Sequence, residues 1–316
     1  MATYTNLDLV DLPAVTAYYG IELSAAEPLK GGFANSSFCL NCAEGDFVLT
    51  ALDNHDPQSA AQLARWTRLL FRAGLPTAEV IAGMDGKDTL VAGERPFILK
   101  KMIPGHVVDP LPPDQMPAAG RLLARLHGIS DPDLDLPVGT RRLSESYRAL
   151  IEGFPDQAFV KWLTDHLAEI DRKEAAHHRD KVPVHGDLFA DNLIVGPDGS
   201  LSIIDWETVT LDDPLLDLGM AAVGICQDEA GCLSMERLCL LLQGYCDERP
   251  LGEESLADLP LEIIHAAVII AFHRYYRHNV RFPNPDCRDF YKAMIGFVES
   301  VPEVINCADP RGSNSC

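Results

Sequence analysis

The spacing of hydrophobic positions changes near residue 104 of this 316-residue chain. Before that point, short apolar segments alternate with glycine-containing turns, a pattern typical of antiparallel strands. The predicted strands lie in 28–40, which holds two strands around a glycine turn, and at 46–52, 75–81, 89–91 and 95–105. A short helix within 5–20 and an amphipathic helix at 59–73 complete this amino-terminal part, which we predict to be a small antiparallel β-rich lobe.

Beyond Pro104-Gly105 the apolar positions recur at helical spacing. The predicted helices lie at 116–129, 143–152, 158–176, 214–226, 235–245, 261–276 and 288–300. The order of these elements predicts an α+β fold with two lobes, the β-rich residues 1–103 and the helical residues 104–316.

The polar composition narrows the class of partner. A net charge of −21 with a pI near 4.7 argues against nucleic acid or an anionic membrane surface. Apolar runs stay below the roughly 18 residues that a membrane span needs, and the start of the chain lacks a basic and apolar signal segment. We therefore expect a cytoplasmic protein.

The nine cysteines are scattered and odd in number, which does not indicate a secreted disulfide framework. Cys39 and Cys42 form a lone CxxC within a predicted strand, a weak signal for a thiol–metal site. Cys232, Cys239 and Cys246 recur every seven residues, and we expect them to be thiols in or near the core.

Two apolar segments flank residues that a core strand would not contain. Residues 182–184 can enter a sheet, and residues 193–195 and 203–204 predict a hairpin across the turn 196–199. That hairpin would bring Asp205 close to the loop that carries Asp187 and Asn192. Two carboxylates and an amide in one small volume suit a magnesium-bound phosphate.

The spacing of these residues resembles that of a known superfamily. Asp187 and Asn192 are separated by four residues, as in the kinase catalytic loop, and Asp205 follows at the distance of the metal-binding aspartate. With His185-Gly-Asp187, the pattern resembles the aminoglycoside phosphotransferase and choline kinase superfamily, and within it the homoserine kinases of the aminoglycoside-phosphotransferase-like type. The resemblance covers about residues 28–300.

The resemblance implies a protein-kinase-like fold that uses ATP and Mg²⁺ to phosphorylate a hydroxyl on a small molecule. It implies that Asp187 is the catalytic base, that Asn192 and Asp205 hold the metal, and that Asp217 braces the loop. The implied nucleotide-binding residues are Gly31, Gly32, Asn35, Ser36 and Ser37 in the glycine turn and Lys101, Met102 and Ile103, through their peptide groups, between the lobes.

The acceptor is expected between the catalytic loop and the carboxyl-terminal helices. His185, Glu207 and Arg274 are its candidate contacts, with His185 also a loop brace. Arg274 could hold a carboxylate and Glu207 an amine, which favours homoserine or a similar hydroxy amino acid. Tyr275 and Tyr276 could instead surround a quaternary ammonium, so choline, ethanolamine, hydroxylysine and aminoglycosides remain alternatives.

One departure from the kinase pattern concerns the third strand. Thr50 stands where protein kinases have a phosphate-binding lysine, and the helix at 59–73 contains no glutamate to pair with it. The homoserine kinase branch resembles this chain in having threonine there, and Lys30 is a candidate for the missing charge. Because of the same departure, a nucleotide-binding pseudokinase without catalytic activity is an alternative to the enzyme.

Overall fold

The computed structural model describes residues 5–29, 35–93, 95–175 and 179–307. Its amino-terminal part is antiparallel and β-rich, as predicted, but its described residues form a sheet of five strands where six were expected, in the order β1-β2-β3-β5-β4. The first strand ends at Pro28, where the prediction had it begin. The strands are β1 (Leu23–Pro28), β2 (Ser36–Cys42), β3 (Gly45–Ala51), β4 (Leu90–Ala92) and β5 (Arg95–Lys101). One face of the sheet packs on α1 (Leu12–Tyr19) around Phe38, Leu40 and Leu49.

The strand expected at 75–81 is wrong. Only Val80 of that segment pairs, in a single bridge with Lys100. The free edge of β5 is already occupied at residues 95–97 by β4, which leaves room for little more than this bridge.

Helix α2 (Pro57–Arg72) connects the sheet to the rest of the molecule. The Asp56 carboxylate caps it by accepting a hydrogen bond from the Ser59 amide at 2.8 Å, and Pro57 occupies the first turn. Its buried side chains, Leu63 and Leu70 among them, belong to the same hydrophobic core as the helical part. The two parts of the chain therefore share one continuous core at this helix.

The segment after β5 directly contacts the hairpin that was predicted at residues 193–204. His106 and Val195 exchange both backbone hydrogen bonds, at 3.1 and 3.0 Å. Gly105 has a φ of 139°, and a Cβ at this position would lie 2.4 Å from the Val195 carbonyl oxygen. Glycine is therefore required where the linker crosses the hairpin.

The described residues of the carboxyl-terminal part form seven α-helices: α3 (Met116–His127), α4 (Glu145–Ile151), α5 (Gln157–Glu174), α6 (Pro214–Ile225), α7 (Met235–Glu248), α8 (Glu253–Tyr275) and α9 (Lys292–Glu299). Helices α6 and α8 lie at the centre of the core, and nearly every residue of α6 is buried.

Helix α8 begins eight residues before the predicted start because it continues through Pro260. With the π-helix Tyr276–Arg281 that follows, it is long and apolar enough to cross a membrane by length and composition. However, 67% of its most apolar window is buried inside the protein, as in the central helix of a folded domain.

Two short strand pairs position the loops of the site. β7 (Leu193–Val195) and β8 (Leu201–Ile203) form the predicted hairpin. β6 (Val182–Val184) pairs with β9 (Thr210–Asp212), so the chain leaves β6, forms the hairpin and returns beside β6. The residues between these strands are thereby held on both sides.

The cysteines differ from the expectation at two positions, and one of them is Cys232, which is disulfide-bonded. Cys239, expected as a free thiol, forms a disulfide with Cys307 and joins α7 to the segment after α9. Cys39 and Cys42 are free thiols. Cys39 shares the face of Val48, its partner across the ladder, whereas Cys42 packs against the cluster on the opposite face. An odd spacing on a strand separates the two thiols, so they do not form one chelating site.

Candidate active site

Asp187 and Asn192 lie together in the loop between β6 and β7. The Asn192 side chain donates from Nδ2 to the Asp187 carbonyl oxygen at 2.9 Å. That bond orients the amide, so the Oδ1 of Asn192 points away from this contact. Among the described residues, one hydrogen bond reaches the Asp187 carboxylate, from Arg141 Nη2 to Oδ1 at 2.6 Å. The second oxygen of Asp187 remains available for another partner.

Asp205 follows the hairpin and occupies a strained backbone conformation. Its φ is 66°, the only positive value at a non-glycine position among the described residues. The next residue, Trp206, is buried and donates from Nε1 to Thr77 Oγ1 at 2.8 Å. Trp206 therefore fixes the turn that orients the Asp205 side chain, and such strain is a frequent feature of functional sites.

Asp217 on α6 holds the catalytic loop from beneath. Its carboxylate accepts hydrogen bonds from the backbone N–H groups of His185 at 2.9 Å and Gly186 at 2.7 Å. His127 contacts it at 3.0 Å and lies 2.9 Å from the Tyr245 hydroxyl. Burial alone would raise the pKa of Asp217, but the hydrogen bond and charge of His127, with His185 and Gly186, lower it. The carboxylate is therefore kept ionised inside the core.

His185 was predicted both as an acceptor contact and as a loop brace, and its surroundings favour the loop brace. Its ring is fully buried and packs edge-on against Trp206 at 5.0 Å. Nε2 donates to the Ile204 carbonyl oxygen at 3.0 Å, and Nδ1 accepts from the Asp187 amide at 3.3 Å. Because both of its nitrogens are used in this way, His185 links the loop that carries Asp187 to the turn that carries Asp205.

Acidic side chains accumulate around this loop. Burial, and next the charge of Asp187, raise the pKa of Asp191. Burial, and next the charge of Asp205, raise the pKa of Glu207 to about 7. The pKa values of these closely spaced carboxylates are raised first by burial and then by their mutual repulsion.

Glu207 is directed toward the amino-terminal sheet. Asn35 donates from Nδ2 to Glu207 Oε1, and His55 Nε2 lies 3.9 Å from the same oxygen. The sequence placed Glu207 with the acceptor, whereas these contacts place it beside Asn35, a predicted nucleotide-binding residue.

The remaining residues of the glycine turn are placed as follows. The Ser36 hydroxyl donates to Asp53 at 2.7 Å, and the Ser37 hydroxyl lies 3.3 Å from that of Thr50 across the ladder. Gly31, Gly32 and Lys30 lie outside the described residues.

The segment between β5 and the hairpin leaves few peptide groups for a ligand. The Lys101 amide donates to the Glu79 carbonyl oxygen, and the Met102 amide donates to that of Asp46, both at 2.9 Å. Among the described residues, the Ile103 amide has no such acceptor. Of the three predicted contacts, Ile103 is therefore the one whose N–H can bind a base.

Arg141 is a site residue that the sequence reasoning missed. It belongs to the loop before α4, 46 residues ahead of the aspartate that it contacts. Its Nε is buried and has no hydrogen-bond partner among the described residues. No motif surrounds Arg141, so only the fold reveals its position.

The end of α8 lies beside Arg141. The charge of Arg141, after burial, lowers the pKa of His273 to about 4, so the two side chains are neighbours. The next residue, Arg274, is half-buried, and burial alone lowers its pKa. Among the described residues, no carboxylate forms an ion pair with Arg274. The helix continues here as a π-helix, a feature frequent at functional sites.

Tyr275 and Tyr276 belong to the core rather than to an aromatic cage. Tyr275 is 4% exposed and packs on Phe154 and Tyr291, with ring centroids 4.5 and 5.0 Å away. Tyr276 stacks on Phe272 at 5.9 Å. These contacts do not support the quaternary-ammonium alternative.

Comparison with known proteins agrees with this geometry. The sequence profile described as "Phosphotransferase enzyme family" matches residues 25–250, more than half of the chain. The chain belongs to that family. It is therefore a phosphotransferase, and the predictions of the superfamily and of an enzyme are confirmed.

Among curated proteins, homoserine kinases are similar to this chain over most of their length. The homoserine kinase of Paramagnetospirillum magneticum is 26% identical over 290 residues, covering 87% of this chain and 88% of the relative. That of Gluconacetobacter diazotrophicus is 28% identical over 289 residues, covering 87% of this chain and 88% of the relative. The resemblance to this branch is thus confirmed.

Solved structures show the same fold. An amicoumacin kinase in complex with AMP-PNP and Ca²⁺ superposes with a TM-score of 0.74 at 15% identity, covering 96% of this chain and 97% of that chain. A choline kinase from Streptococcus pneumoniae superposes with a TM-score of 0.65 at 18% identity, covering 87% and 93%. The predicted two-lobed kinase-like fold class is confirmed.

Proposed function

We propose that this protein is a cytoplasmic kinase that uses ATP and Mg²⁺ to phosphorylate the hydroxyl group of homoserine or a similar hydroxy amino acid. One observation carries the choice of acceptor: Arg274 is a half-buried guanidinium without an ion-pair partner among the described residues, next to His273 at the catalytic loop. A small acceptor that bears a carboxylate would supply that partner.

The residues present fit a divalent cation bound to a nucleotide. Asn192 Oδ1 and the Asp205 carboxylate are oxygen ligands of the kind that Mg²⁺ takes. The raised pKa of Glu207, which burial and next Asp205 produce, indicates unneutralised negative charge at that position. Bound there, the metal would neutralise charge on the transferring phosphate. A relative in fold was solved with AMP-PNP and Ca²⁺, which also supports nucleotide and metal use.

Asp187 would orient the acceptor hydroxyl and receive its proton. Arg141 holds Oδ1 of this carboxylate at 2.6 Å and fixes its plane, so Oδ2 is the atom presented to the acceptor. Asp217 and His185 hold the loop from below, which keeps the carboxylate in one position. Catalysis would then depend on orientation and electrostatics, as phosphoryl transfer requires.

The acceptor side of the site is cationic. Arg141 pairs with Asp187, and His273, which lies near Arg141, directly precedes Arg274 in α8, whereas Glu207 is turned toward Asn35. We therefore reassign Glu207 to the phosphate side. Choline, ethanolamine and aminoglycosides are cations, and the Arg274 guanidinium, which has no carboxylate partner among the described residues, disfavours them. Hydroxylysine carries a carboxylate and remains the alternative within the class.

The test is ADP release with Mg-ATP in the presence of homoserine, hydroxylysine, choline, ethanolamine, aminopropanol and an aminoglycoside. We expect homoserine or another hydroxy amino acid to stimulate turnover, and homoserine methyl ester, which lacks the carboxylate, to do so poorly. Stimulation by choline alone would contradict the proposed acceptor. ATP binding with no stimulated turnover on any acceptor would favour the nucleotide-binding pseudokinase.

A further inference from the structure

The phosphate side of the site lacks the cation that kinases place on the third strand. Thr50 occupies that strand, and its hydroxyl lies 3.3 Å from the Ser37 hydroxyl. Helix α2 contains no glutamate. The lysine–glutamate pair that normally holds the nucleotide phosphates is therefore absent from its usual elements.

The register of the sheet places a different lysine beside Thr50. Val48 is directly opposite Lys100, and Thr50 is directly opposite Ile98. Side chains two residues apart on a strand share a face, so Lys100 and Thr50 are diagonal neighbours on one face. Such neighbours lie within the reach of a long side chain. Lys100 can thus occupy the volume in front of Thr50.

That face of the sheet is directed at the helical part of the molecule. Phe97 and Leu99, on the other face of β5, pack in the outer cluster with α1. Ile98 packs in the main core that α2 shares with the helical part. Lys100 alternates with Leu99, so its side chain extends from the Ile98 face, whereas Lys101 is exposed and extends from the opposite face.

The charges that act on Lys100 are those of Asp205, a predicted metal ligand, and of Glu207, two residues later in the chain. Burial lowers the pKa of Lys100, while the charges of Asp205 and Glu207 oppose that effect. Glu207 is itself held by Asn35 and His55. Among the described residues, no carboxylate forms a salt bridge with the Lys100 ammonium, so the ammonium can bind a ligand.

We propose that Lys100 is the phosphate-binding lysine of this kinase, reaching from β5 into the space that a third-strand lysine would fill. Glu207 acts on Lys100 through its charge and without a salt bridge, so it does not reproduce the lysine–glutamate pair. The ligand is the α- and β-phosphate portion of a nucleotide, and this assignment rests on the proposed use of ATP.

The test compares Lys100→Met with Lys87→Met, an exposed lysine of the same sheet region that pairs with Asp85. Binding of Mg-ADP and of adenosine to each purified variant is measured by calorimetry. For Lys100→Met we expect Mg-ADP affinity to fall about 10- to 100-fold, the usual effect of losing a hydrogen bond to a charged group. Adenosine affinity should change less than about threefold, because adenosine has no phosphate. Lys87→Met should change neither.

A folding defect is distinguished by urea unfolding and by a second variant. Methionine in place of a desolvated ammonium should not lower the free energy of unfolding, and Lys100→Arg, which keeps the charge, should retain more Mg-ADP affinity than Lys100→Met. Unchanged Mg-ADP affinity in Lys100→Met, or an equal loss for adenosine and ADP, would overturn the assignment of Lys100 alone. Failure of the unmodified protein to bind Mg-ADP or Mg-ATP would overturn the proposed function and this assignment together.

Discussion

The catalytic loop and the end of α8 lie side by side but are built differently. In the loop, the groups that support the backbone have protein partners: Asp217 binds two backbone amides, and both ring nitrogens of His185 are used. At the end of α8, Arg274 has no ion-pair partner among the described residues, and the neighbouring Arg141 keeps an unpaired Nε.

The difference separates two tasks. A group that performs the same chemistry on every turnover is best held rigidly by the protein itself. A group that recognises an acceptor must leave its hydrogen bonds unsatisfied until the acceptor arrives. Substitutions in the catalytic loop should therefore lower kcat or the free energy of unfolding. Substitutions at the end of α8 should instead weaken binding of the acceptor.

The largest effect is expected for Asp187→Asn. This change removes the proton acceptor, and kcat should fall about 10²- to 10⁴-fold, the usual contribution of a general base. Mg-ATP affinity should remain close to that of the unmodified protein, which equilibrium binding measures. Asp198→Asn, in the exposed hairpin turn, is the control and should keep full turnover. Substantial turnover in Asp187→Asn would remove this residue from the role of base.

Asp217→Ala tests the rigid region through stability. The change leaves two buried N–H groups and the Nε2 atom of His127 without a partner, so the free energy of unfolding should fall by about 3–5 kcal/mol. Urea unfolding measures this. The exposed pair of Asp165 and Lys161 provides the control, since Asp165→Ala should cost less than about 1 kcal/mol. Equal effects of the two changes would contradict the bracing role.

Arg274→Ala tests the open region through binding. Loss of a charge-assisted contact worth about 1.5–3 kcal/mol should raise KM for a carboxylate-bearing acceptor and change kcat little. The free energy of unfolding should not fall, because the guanidinium has no ion pair to lose. Arg172→Ala, an exposed arginine at the end of α5, is the charge-matched control. An effect confined to kcat would argue against carboxylate recognition.

The smallest effect is expected for His273, and it should appear only in the pH dependence of the free energy of unfolding. Burial, and next Arg141, hold its pKa at about 4, so the folded protein keeps the imidazole neutral. The unfolded chain binds a proton near pH 6.5, about 2 pH units higher. Stability should therefore fall as pH drops from about 6.5 to about 4, by about 1–3 kcal/mol.

His273→Gln should lack this component. The measurement is the difference in unfolding free energy between the two proteins at pH 7 and pH 5. A difference that does not change with pH would show that His273 is accessible to protons in the folded state.

Much of the fold could be read from the chain because its patterns are local. The strands at 46–52 and 95–105, the hairpin at 193–204 and the nine α-helices of the described residues, apart from the start of α8, follow from periodicity and turn residues within a short window. The strand expected at 75–81 failed because its partner edge was already occupied, which its own residues do not show. The start of α8 was missed because burial of the helix outweighs the local cost of Pro260.

The sequence by itself indicated the reaction class and predicted the residues that carry it, because Asp187, Asn192 and Asp205 fall within one loop and one hairpin whose spacing is fixed by the chain. Only the tertiary structure decided what surrounds them. Arg141 reaches Asp187 across 46 positions, and Lys100 approaches Asp205 from another strand of another sheet. The tertiary structure also decided that His185 faces the protein interior and that Glu207 faces Asn35. Contacts between distant segments depend on how whole elements pack, and no local spacing encodes them.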